Sequence, residues 1–512
     1  MSQTPDPMPR PLDHLAECGE DDAPALVLRG ETLSYNALRT RVAALASWLS
    51  AQVRESGGAE GARVASWAAK GALTCLLPLA CARAGLVHVP INPLLKRAQV
   101  AHILADSGAS LLLGTAARLK TLEPDDLHAA CVVMDEQAVW DEVTAHDGSM
   151  DPSSADPQSL AAILYTSGST GQPKGVMLSH ANMWLGAVSV AHYLGLECDD
   201  VTLAVLPLSF DYGQSQLLST WYAGGSIVPL DYLLPRDVVK SCVRHQITTL
   251  AAVPPLWVQL TEIDWPQEAV EPMRRMTNSG GALTEDLVRS LRSIFPQARL
   301  FPMYGLTEAF RSTYLDPALV DSHPTSMGTA IPFAEILVVA DSGEIATAGE
   351  EGELVHCGPL VAQGYWQDAK RTAKRFKAAP KESQHGGMAV WSGDRVRRDG
   401  DGLLYFVGRR DAMIKSAGNR ISPQEIEDAA RATGLVAEAV ALGVADDRLG
   451  QAVHLVVRAA ADVQDPQTAL PRALARELPN FMQPQVFHWR DVLPLNPNGK
   501  LDRTAIAREI GA

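Results

Sequence analysis

Short apolar runs alternate with longer amphipathic stretches over the first 300 residues. Runs such as ALVL (25–28), RVASWA (63–68) and HVPI (88–91) are rich in β-forming residues, whereas YNALRTRVAALASWLSAQV (35–53) has helical periodicity. A second series of the same kind runs from Ser159 to Gly305. Alternation of strand and helix patterns predicts an α/β architecture, here with two sheet-bearing subdomains.

The pattern changes after Ile331. Runs such as EILVVADSGE (335–344) and GLLYFVG (402–408) read as short strands punctuated by glycine, which predicts a smaller β structure. From residue 412 to the end, helix and strand patterns mix over about 100 residues, the size of a compact α+β domain. We therefore predict a large N-terminal domain over 1–410 and a small C-terminal domain over 411–512, with the boundary near Asp411.

Composition and charge exclude several classes of protein. The chain has 512 residues, with 44 basic and 59 acidic side chains and a net charge of −15, which disfavours nucleic acids and anionic membranes as partners. Its seven cysteines never form a C-x-x-C pair, so neither zinc ligation nor a disulfide framework is predicted. The most apolar stretch, residues 72–91, contains Pro78 and Arg83, and the N-terminus lacks the apolar core of a signal peptide. A cytoplasmic protein without a membrane span is expected.

The segment YTSGSTGQPKG (165–175) directly follows the apolar run LAAIL. Its glycines and hydroxyl residues offer N–H and O–H groups to phosphate oxygens, and Lys174 offers a positive charge. The segment does not match G-x-x-x-x-G-K-[ST], because Gly175 follows Lys174. It predicts a nucleotide loop of another type, and the alternative is a flexible connection.

The whole string closely resembles the phosphate-binding signature of the adenylate-forming superfamily, which includes acyl-CoA synthetases, adenylation domains of nonribosomal peptide synthetases, and luciferases. Further motifs of that superfamily follow in order: YGLTE (304–308), WSGDRV (391–396), GRRDAMIKSAGNRISPQEIE (408–427) and PLNPNGKLDR (494–503). The resemblance covers nearly the whole chain and extends to ligases encoded with bacterial exosortase systems. It implies attack of a carboxylate on the α-phosphorus of MgATP, followed by transfer of the acyl group to a thiol.

The resemblance also implies roles for individual residues. The phosphates would bind Thr166, Ser167, Gly168, Ser169, Thr170, Gly171 and Lys174, and Mg²⁺ would bind Glu308 together with Thr166. Adenine and ribose would contact Gly280, Gly281, Tyr304, Asp394 and Arg409, with Thr307 at the α-phosphate. Lys500 would be the catalytic lysine, assisted by Thr307 and Glu308, and Asp411 would be the hinge of a mobile C-terminal domain. The alternatives are a surface ion pair for Glu308 and a solvated side chain for Lys500.

Residues that resemble the family's acyl pocket carry charge. Asp211 follows Phe210, at the position where amino-acid-activating relatives keep an acid for the substrate ammonium; the alternative is a cap for a helix at 214–224. Arg311, with Ser279, could bind a second substrate carboxylate or instead pair internally with Asp211 or Glu308. The rest of the wall would come from Tyr212, Ser215, Leu256, Met303, Gly305 and Ser312.

These features predict an amino acid as substrate, of the β-amino or acidic type. After formation of the aminoacyl-AMP, the thiol acceptor would be the phosphopantetheine arm of a discrete carrier protein, because the chain ends at Ala512 without a carrier attachment serine. The alternative is an AMP-forming acyl-CoA synthetase that acts on a simpler carboxylic acid. A catalytically inactive scaffold is disfavoured by the intact Lys174, Glu308, Asp394 and Lys500, and no feature of the sequence calls for an oxygenase of the luciferase type.

Overall fold

The computed structural model describes residues 5–128, 130–166, 173–409, 414–416, 419–446, 449–461 and 463–512. Its strands are β1 (Pro24–Leu28), β2 (Glu31–Ser34), β3 (Arg63–Trp67), β4 (Val87–Pro90), β5 (Leu111–Gly114), β6 (Val132–Asp135), β7 (Leu160–Thr166), β8 (Lys174–Ser179), β9 (Val201–Ala204), β10 (Ser226–Pro229), β11 (Thr249–Ala252), β12 (Arg275–Asn278), β13 (Arg299–Tyr304), β14 (Thr313–Tyr314), β15 (Thr329–Ala330), β16 (Glu335–Val339), β17 (Glu351–Cys357), β18 (Gly364–Tyr365), β19 (Phe376–Ala378), β20 (Met388–Arg398), β21 (Leu404–Arg409), β22 (Ile414–Ser416), β23 (Asn419–Ile421), β24 (Val436–Asp446), β25 (Gly450–Ala459) and β26 (Val486–Trp489).

The α-helices are α1 (Tyr35–Glu55), α2 (Ala72–Arg83), α3 (Arg97–Ser107), α4 (Ala116–Leu119), α5 (Glu136–Ala145), α6 (His180–Leu194), α7 (Asp211–Tyr222), α8 (Pro235–His245), α9 (Pro254–Thr261), α10 (Gln267–Val270), α11 (Glu285–Ile294), α12 (Ala369–Arg375), α13 (Pro423–Ala432), α14 (Pro466–Glu477) and α15 (Arg503–Ile510). Helix α1 illustrates why they form. The Ser34 side chain accepts a hydrogen bond from Ala37 N and so caps the helix, and Leu38, Val42 and Leu45 recur at helical spacing on its buried face.

Two largely parallel sheets form the N-terminal domain. The first has the order β15-β14-β13-β12-β11-β9-β10-β1-β2, and the second has the order β18-β8-β7-β4-β3-β5-β6. Strand β7 of the second sheet ends at Thr166, and β13 of the first sheet ends at Tyr304. The loops after strand ends of such sheets are where α/β proteins bind ligands, and both motif segments leave the sheets there.

A smaller antiparallel sheet follows, with the order β16-β17-β20-β19 and with β21 paired to β20. The β20–β21 register places Asp394 opposite Arg409. The predicted change to short strands after Ile331 therefore corresponds to a separate sheet, and that sheet contributes a carboxylate and a guanidinium to one position.

The C-terminal region has its own sheet, β23-β22-β25-β24 with β26 beside β25, and its own core, which includes Ile414, Ile426, Leu455 and Leu470. Its contacts with the N-terminal domain include an ion pair, in which Arg458 Nη2 lies 3.2 Å from Glu262 Oε1, and hydrogen bonds from Asn92 Nδ2 to Pro497 O at 2.8 Å and to Asn498 Oδ1 at 3.1 Å. The α/β class with a small α+β domain is the architecture that the sequence predicts. The predicted boundary at Asp411 lies outside the described residues and stays a prediction.

The apolar stretch at 72–91 is divided between two elements. Helix α2 ends at Arg83 with Pro78 inside it, and β4 begins at Val87. Among the described residues, no helix combines the length and apolarity that crossing a bilayer requires.

Candidate active site

Three polar side chains meet next to the start of β8. Lys174 Nζ donates hydrogen bonds to Glu308 Oε1 at 3.0 Å and to the Tyr365 hydroxyl at 2.7 Å, and that hydroxyl donates to Glu308 Oε1 at 2.6 Å. Thr166, which pairs with Lys174 across the β7–β8 ladder, has a buried hydroxyl with no hydrogen-bond partner among the described residues. A buried hydroxyl of this kind is usually satisfied by a ligand, an ion or water.

Local electrostatics keep Glu308 ionised. The residue is only 6 % exposed. Burial raises the pKa of its carboxyl, but the charges of Lys174 and Arg375 and the hydrogen bond from Tyr365 outweigh burial and lower the pKa to about 2. Arg375, the last residue of α12, has a buried Nε without a hydrogen-bond partner in the described part of the chain. The site thus combines an anionic oxygen ligand with cations that suit phosphate.

A second polar group lies at the end of β13. The Tyr304 hydroxyl donates to Asp394 Oδ2, and Arg409 Nε lies 3.3 Å from Asp394 Oδ1. Burial raises the pKa of Tyr304, and the Asp394 charge raises it further, so the hydroxyl stays a donor. A carboxylate beside an aromatic ring can accept ribose hydroxyls while the ring packs against a base.

Lys500 reaches the cleft from a turn of the C-terminal domain. Asn496 Oδ1 accepts the hydrogen bond of Lys500 N at 3.1 Å and so shapes this turn, and the neighbouring Pro497 is bonded to Asn92 of the N-terminal domain. Burial lowers the pKa of Lys500 below its ordinary value, Asp211 opposes this effect, and other cations in the cleft add to it. The predicted catalytic lysine is therefore inside the cleft rather than in solvent.

Gly280 leaves space for that lysine. Its φ is +83°, and a Cβ there would lie only 2.4 Å from Lys500 Cε. Gly281 is constrained less tightly, since a Cβ there would lie 3.0 Å from Pro254 Cγ. Lys500 Nζ lies 4.7 Å from the centre of the Phe210 ring. The backbone conformation favours glycine at 280, and a Cβ there would also displace the end of the Lys500 side chain.

Asp211 is the first residue of α7 and is 5 % exposed. Its Oδ1 accepts a hydrogen bond from Thr307 Oγ1 at 3.2 Å. Burial raises the pKa of Asp211, and the charges of Arg311 and Lys500 and the Thr307 hydrogen bond offset only part of that rise. Phe210, not Asp211, occupies the N-cap position of α7. The alternative that Asp211 caps this helix is therefore wrong.

Arg311 follows a strained residue. Phe310 has a φ of +57°, a left-handed conformation that is costly for a bulky side chain and that recurs at functional sites. Arg311 itself is 1 % exposed, and Gly305 leaves room for it, because a Cβ there would lie 3.2 Å from Arg311 Cδ. Its Nη1 donates to Ser279 Oγ at 3.0 Å, and its Cζ lies 4.6 Å from the centre of the Tyr212 ring.

Arg311 does not form the internal ion pair that the sequence analysis gave as an alternative. Among the described residues, no ion pair joins Arg311 to Asp211 or to Glu308, and Glu308 pairs with Lys174. Arg311 lines a small cavity whose exposed surface is mostly apolar; the other lining residues are Val190, Leu194, Leu196, Thr202, Tyr212, Ser215, Gln216, Ser219, Thr220, Thr249, Thr277 and Met303. Ser312, which the sequence analysis placed in the pocket wall, does not line this cavity. Its hydroxyl is instead hydrogen-bonded to His356 Nδ1 at 2.9 Å.

The predicted site residues and those that the structure brings together differ in part. Ser167, Gly168, Ser169, Thr170, Gly171 and the hinge candidate Asp411 lie outside the described residues. Sequence reasoning missed Tyr365 and Arg375 at the nucleotide end and Gln216 and Thr249 at the pocket. Only the GYW string around Tyr365 carried a local signal, an aromatic residue after a glycine.

Taken together, a large α/β domain, a small C-terminal domain and a cleft that holds the Lys174–Glu308 ion pair and Lys500 are features expected of an adenylate-forming enzyme. Models of known families agree with this class. The model described as "AMP-binding enzyme" matches residues 13–366, and the model described as "AMP-binding enzyme C-terminal domain" matches residues 425–500. The chain belongs to the AMP-binding enzyme family. This confirms the predicted enzyme class, an AMP-forming ligase that uses ATP.

Individual relatives span the full chain. It is 31 % identical to an L-proline–[L-prolyl-carrier protein] ligase of Pseudomonas fluorescens over 95 % of this chain and 96 % of that protein. It is 30 % identical to a feruloyl-CoA synthase of Amycolatopsis over 94 % and 95 % of the two chains. The structure of o-succinylbenzoate-CoA synthetase from Bacillus subtilis with an acyl-adenylate intermediate superposes with a TM-score of 0.82 at 26 % identity, covering 98 % of each chain.

Proposed function

We propose that this ligase activates the carboxyl group of an amino acid and passes the aminoacyl group from the adenylate to a phosphopantetheine thiol. The observation that carries the proposal is the Asp211 carboxylate, which is buried in the cleft close to Lys500 and hydrogen-bonded to Thr307. Among the described residues, no cation lies within ion-pair distance of it. A buried carboxylate of this kind is costly unless a cation approaches it, and a substrate ammonium would supply that cation.

The chain's own residues fit the proposed chemistry. A substrate carboxylate oxygen attacks the α-phosphorus, and the bond from that phosphorus to pyrophosphate breaks. Lys500 would lie between the two reacting anions, Thr307 would donate to the α-phosphate, and Lys174 would exchange Glu308 for the departing phosphates. The acceptor sulfur then attacks the carbonyl carbon of the adenylate, and AMP leaves with the former carboxylate oxygen.

Glu308 and Thr166 would hold Mg²⁺. Both offer oxygen, which this ion prefers; Glu308 is ionised at any physiological pH, and the Thr166 hydroxyl is buried without a partner among the described residues. When bound, the ion supplies neutralisation of the phosphate charge.

The proposed acceptor is a discrete carrier protein, in line with the name of the prolyl-carrier protein ligase relative. A second candidate is an acyl-CoA synthetase for a simpler acid, which the similarity to feruloyl-CoA synthase supports. Release of AMP in the presence of a phosphopantetheine-loaded carrier, compared with release in the presence of CoA, separates the two acceptors.

The test of amino-acid recognition is substrate-dependent ATP–pyrophosphate exchange with amino acids and their deaminated counterparts, in the wild type and in Asp211→Asn. We expect exchange to need the amine and to fall about 100-fold in the variant, as for loss of a buried charged hydrogen bond. Asp286→Asn is the matched control, since Asp286 is an exposed acid in the first turn of α11. Full amino-acid exchange by Asp211→Asn would contradict the proposal.

A further inference from the structure

Helix α3 contacts both strand ends next to the predicted phosphate loop. His102 Nε2 lies 3.0 Å from Pro173 O, and since a carbonyl oxygen only accepts, the imidazole donates this hydrogen bond. One turn further along the helix, Asp106 Oδ2 accepts a hydrogen bond from the Tyr165 hydroxyl at 2.5 Å. Residues four apart lie on the same face of a helix, so a single face of α3 holds both segments.

The two contacts lie next to the residues that the proposed function assigns to Mg²⁺ and the phosphates. Tyr165 directly precedes Thr166, and Pro173 directly precedes Lys174. Thr166 is the last residue of β7, Lys174 is the first residue of β8, and the two pair with each other across the ladder. The end of a ladder is held by fewer neighbours than its middle, so a further hydrogen bond on each strand restrains both residues.

Trp366 adds a third link between α3 and β8. Its backbone N donates to Gly175 O at 2.8 Å, and its indole Nε1 donates to Asp106 O at 3.0 Å. Arg63 Cζ lies 5.6 Å from the centre of the indole ring, and Arg63 Nε donates to Ser107 O at 2.8 Å. The end of α3 is therefore connected to β8 through a side chain that is itself held in place.

These contacts are not what attaches α3 to the protein. Its buried apolar residues, Val100, Ile103 and Leu104, pack in one core cluster with residues of β3, β4 and β5, whereas His102 and Asp106 are only partly buried. The net contribution of one such hydrogen bond to the free energy of folding is modest. The two polar side chains instead fix the positions of the neighbouring strand ends relative to the helix.

We infer that His102 and Asp106 are positioning residues, which hold Thr166 and Lys174 at the separation that the β- and γ-phosphates of MgATP require. They act through the strand ends rather than by contact with the nucleotide. Small displacements of such groups are costly, because binding and catalysis depend on geometry at the level of an ångström. The inference rests on the proposed roles of Thr166 and Lys174, and it holds whichever acid the enzyme activates.

The expected consequence is confined to the outer phosphates. Adenine and ribose are proposed to bind Tyr304 and Asp394, which lie on β13 and β20. Binding of AMP should therefore be insensitive to changes on α3, whereas binding of MgATP should depend on them. A purely structural role of α3 would weaken the binding of both ligands together.

The test is isothermal titration calorimetry of the full chain with MgATP and with AMP. We expect His102→Leu, Asp106→Ala and Tyr165→Phe each to weaken MgATP binding about 5- to 20-fold, the effect of losing one hydrogen bond that fixes a charged group, and to leave AMP binding unchanged. His102→Gln should bind MgATP nearly as well as the wild type, because its amide nitrogen can donate to the same carbonyl. Arg97→Ala is the matched control on α3, since it removes an ion pair with Asp126 and leaves both strand ends untouched.

The outcomes that contradict the inference are specific. Unchanged MgATP binding in the folded variants would overturn it, and so would equal weakening of MgATP and AMP. The double variant Asp106→Ala/Tyr165→Phe should bind MgATP no more weakly than either single variant, because both changes remove the same hydrogen bond; additive losses would contradict the assigned pair. If the α3 variants do not fold, Tyr165→Phe, which loses a single oxygen atom, still decides the question.

Lys174→Ala separates this inference from the proposed function. If Lys174→Ala weakens MgATP binding while the variants of His102, Asp106 and Tyr165 do not, only the positioning role of α3 fails. If Lys174→Ala has no effect either, the phosphate site of the proposed function fails with it.

Discussion

The charged side chains at the two ends of the cleft differ in how completely they are hydrogen-bonded within the protein. At the nucleotide end, Lys174, Glu308 and Tyr365 are bonded to one another, and Asp394 is bonded to Tyr304. At the acyl end, Arg311 keeps two buried N–H groups without partners in the described protein. The nucleotide end can therefore exchange protein contacts for ligand contacts, whereas the acyl end is organised in advance for one kind of group.

This difference predicts different consequences of mutation. Changes at the nucleotide end should lower turnover for every acid by the same factor, because all acids use the same ATP. Changes at the acyl end should alter the ranking of acids. A variant at the nucleotide end that changes the ranking would break the distinction between the two regions.

The largest expected effect is that of Lys500→Ala. We expect exchange to fall about 1,000-fold for all acids, as when a main electrostatic contributor to a transition state is removed. Transfer from a supplied aminoacyl-AMP to a thiol should fall much less. Both rates can be measured on one preparation, with Lys120→Ala, an exposed lysine, as the control. Exchange within tenfold of the wild type would show that another cation neutralises the reacting anions.

An intermediate effect is expected for Gly280→Ala, which tests whether Lys500 needs its close approach. The new Cβ would meet Lys500 Cε and would also strain the backbone at a φ of +83°. We expect exchange to fall about 10- to 100-fold with little loss of secondary structure, because a catalytic group displaced by an ångström costs about 100-fold. Gly343→Ala is the matched control: φ there is +88°, and a Cβ would meet nothing within 4 Å. If both variants lost activity to the same extent, backbone strain alone would explain the loss.

The sequence predicted more of the residues at the nucleotide end than at the acyl end, and the difference has a physical reason. Lys174, Glu308, Asp394 and Lys500 lie in local strings whose residue types already suit phosphate, metal or ribose. The structure brings Lys174 into direct contact with Glu308 and places Lys500 in the same cleft as Asp211. Their catalytic roles stay predictions until they are measured.

The residues that were missed depend on tertiary contacts between distant segments. Tyr365 reaches Lys174 because β18 pairs with β8, and the two residues are 191 positions apart. Gln216 and Thr249 come from α7 and β11, and neither is part of a recognisable string. Which face of a buried helix or strand borders a cavity is decided by packing, and single-sequence patterns do not resolve it.

The smallest effect concerns Tyr365→Phe. Loss of the hydroxyl removes one hydrogen bond to the Glu308 carboxylate and one from Lys174, but it leaves the ring packed against Phe376. We expect about a five- to tenfold rise in KM for MgATP, the size of one charged hydrogen bond, with kcat for each acid nearly unchanged. Titration of Mg²⁺ at fixed ATP should show a matching loss of apparent affinity, which a purely structural role would not produce.

Tyr232→Phe, at a tyrosine that packs against the main core, controls for loss of a hydroxyl elsewhere. Because Tyr365 belongs to the nucleotide end, the rise in KM should be the same whichever acid is used. If Tyr365→Phe instead changed the ratio of the exchange rates that different acids support, the hydrogen-bond network around Glu308 would have to extend to Arg311. The two ends would then act as one unit, and the difference drawn between them would fail.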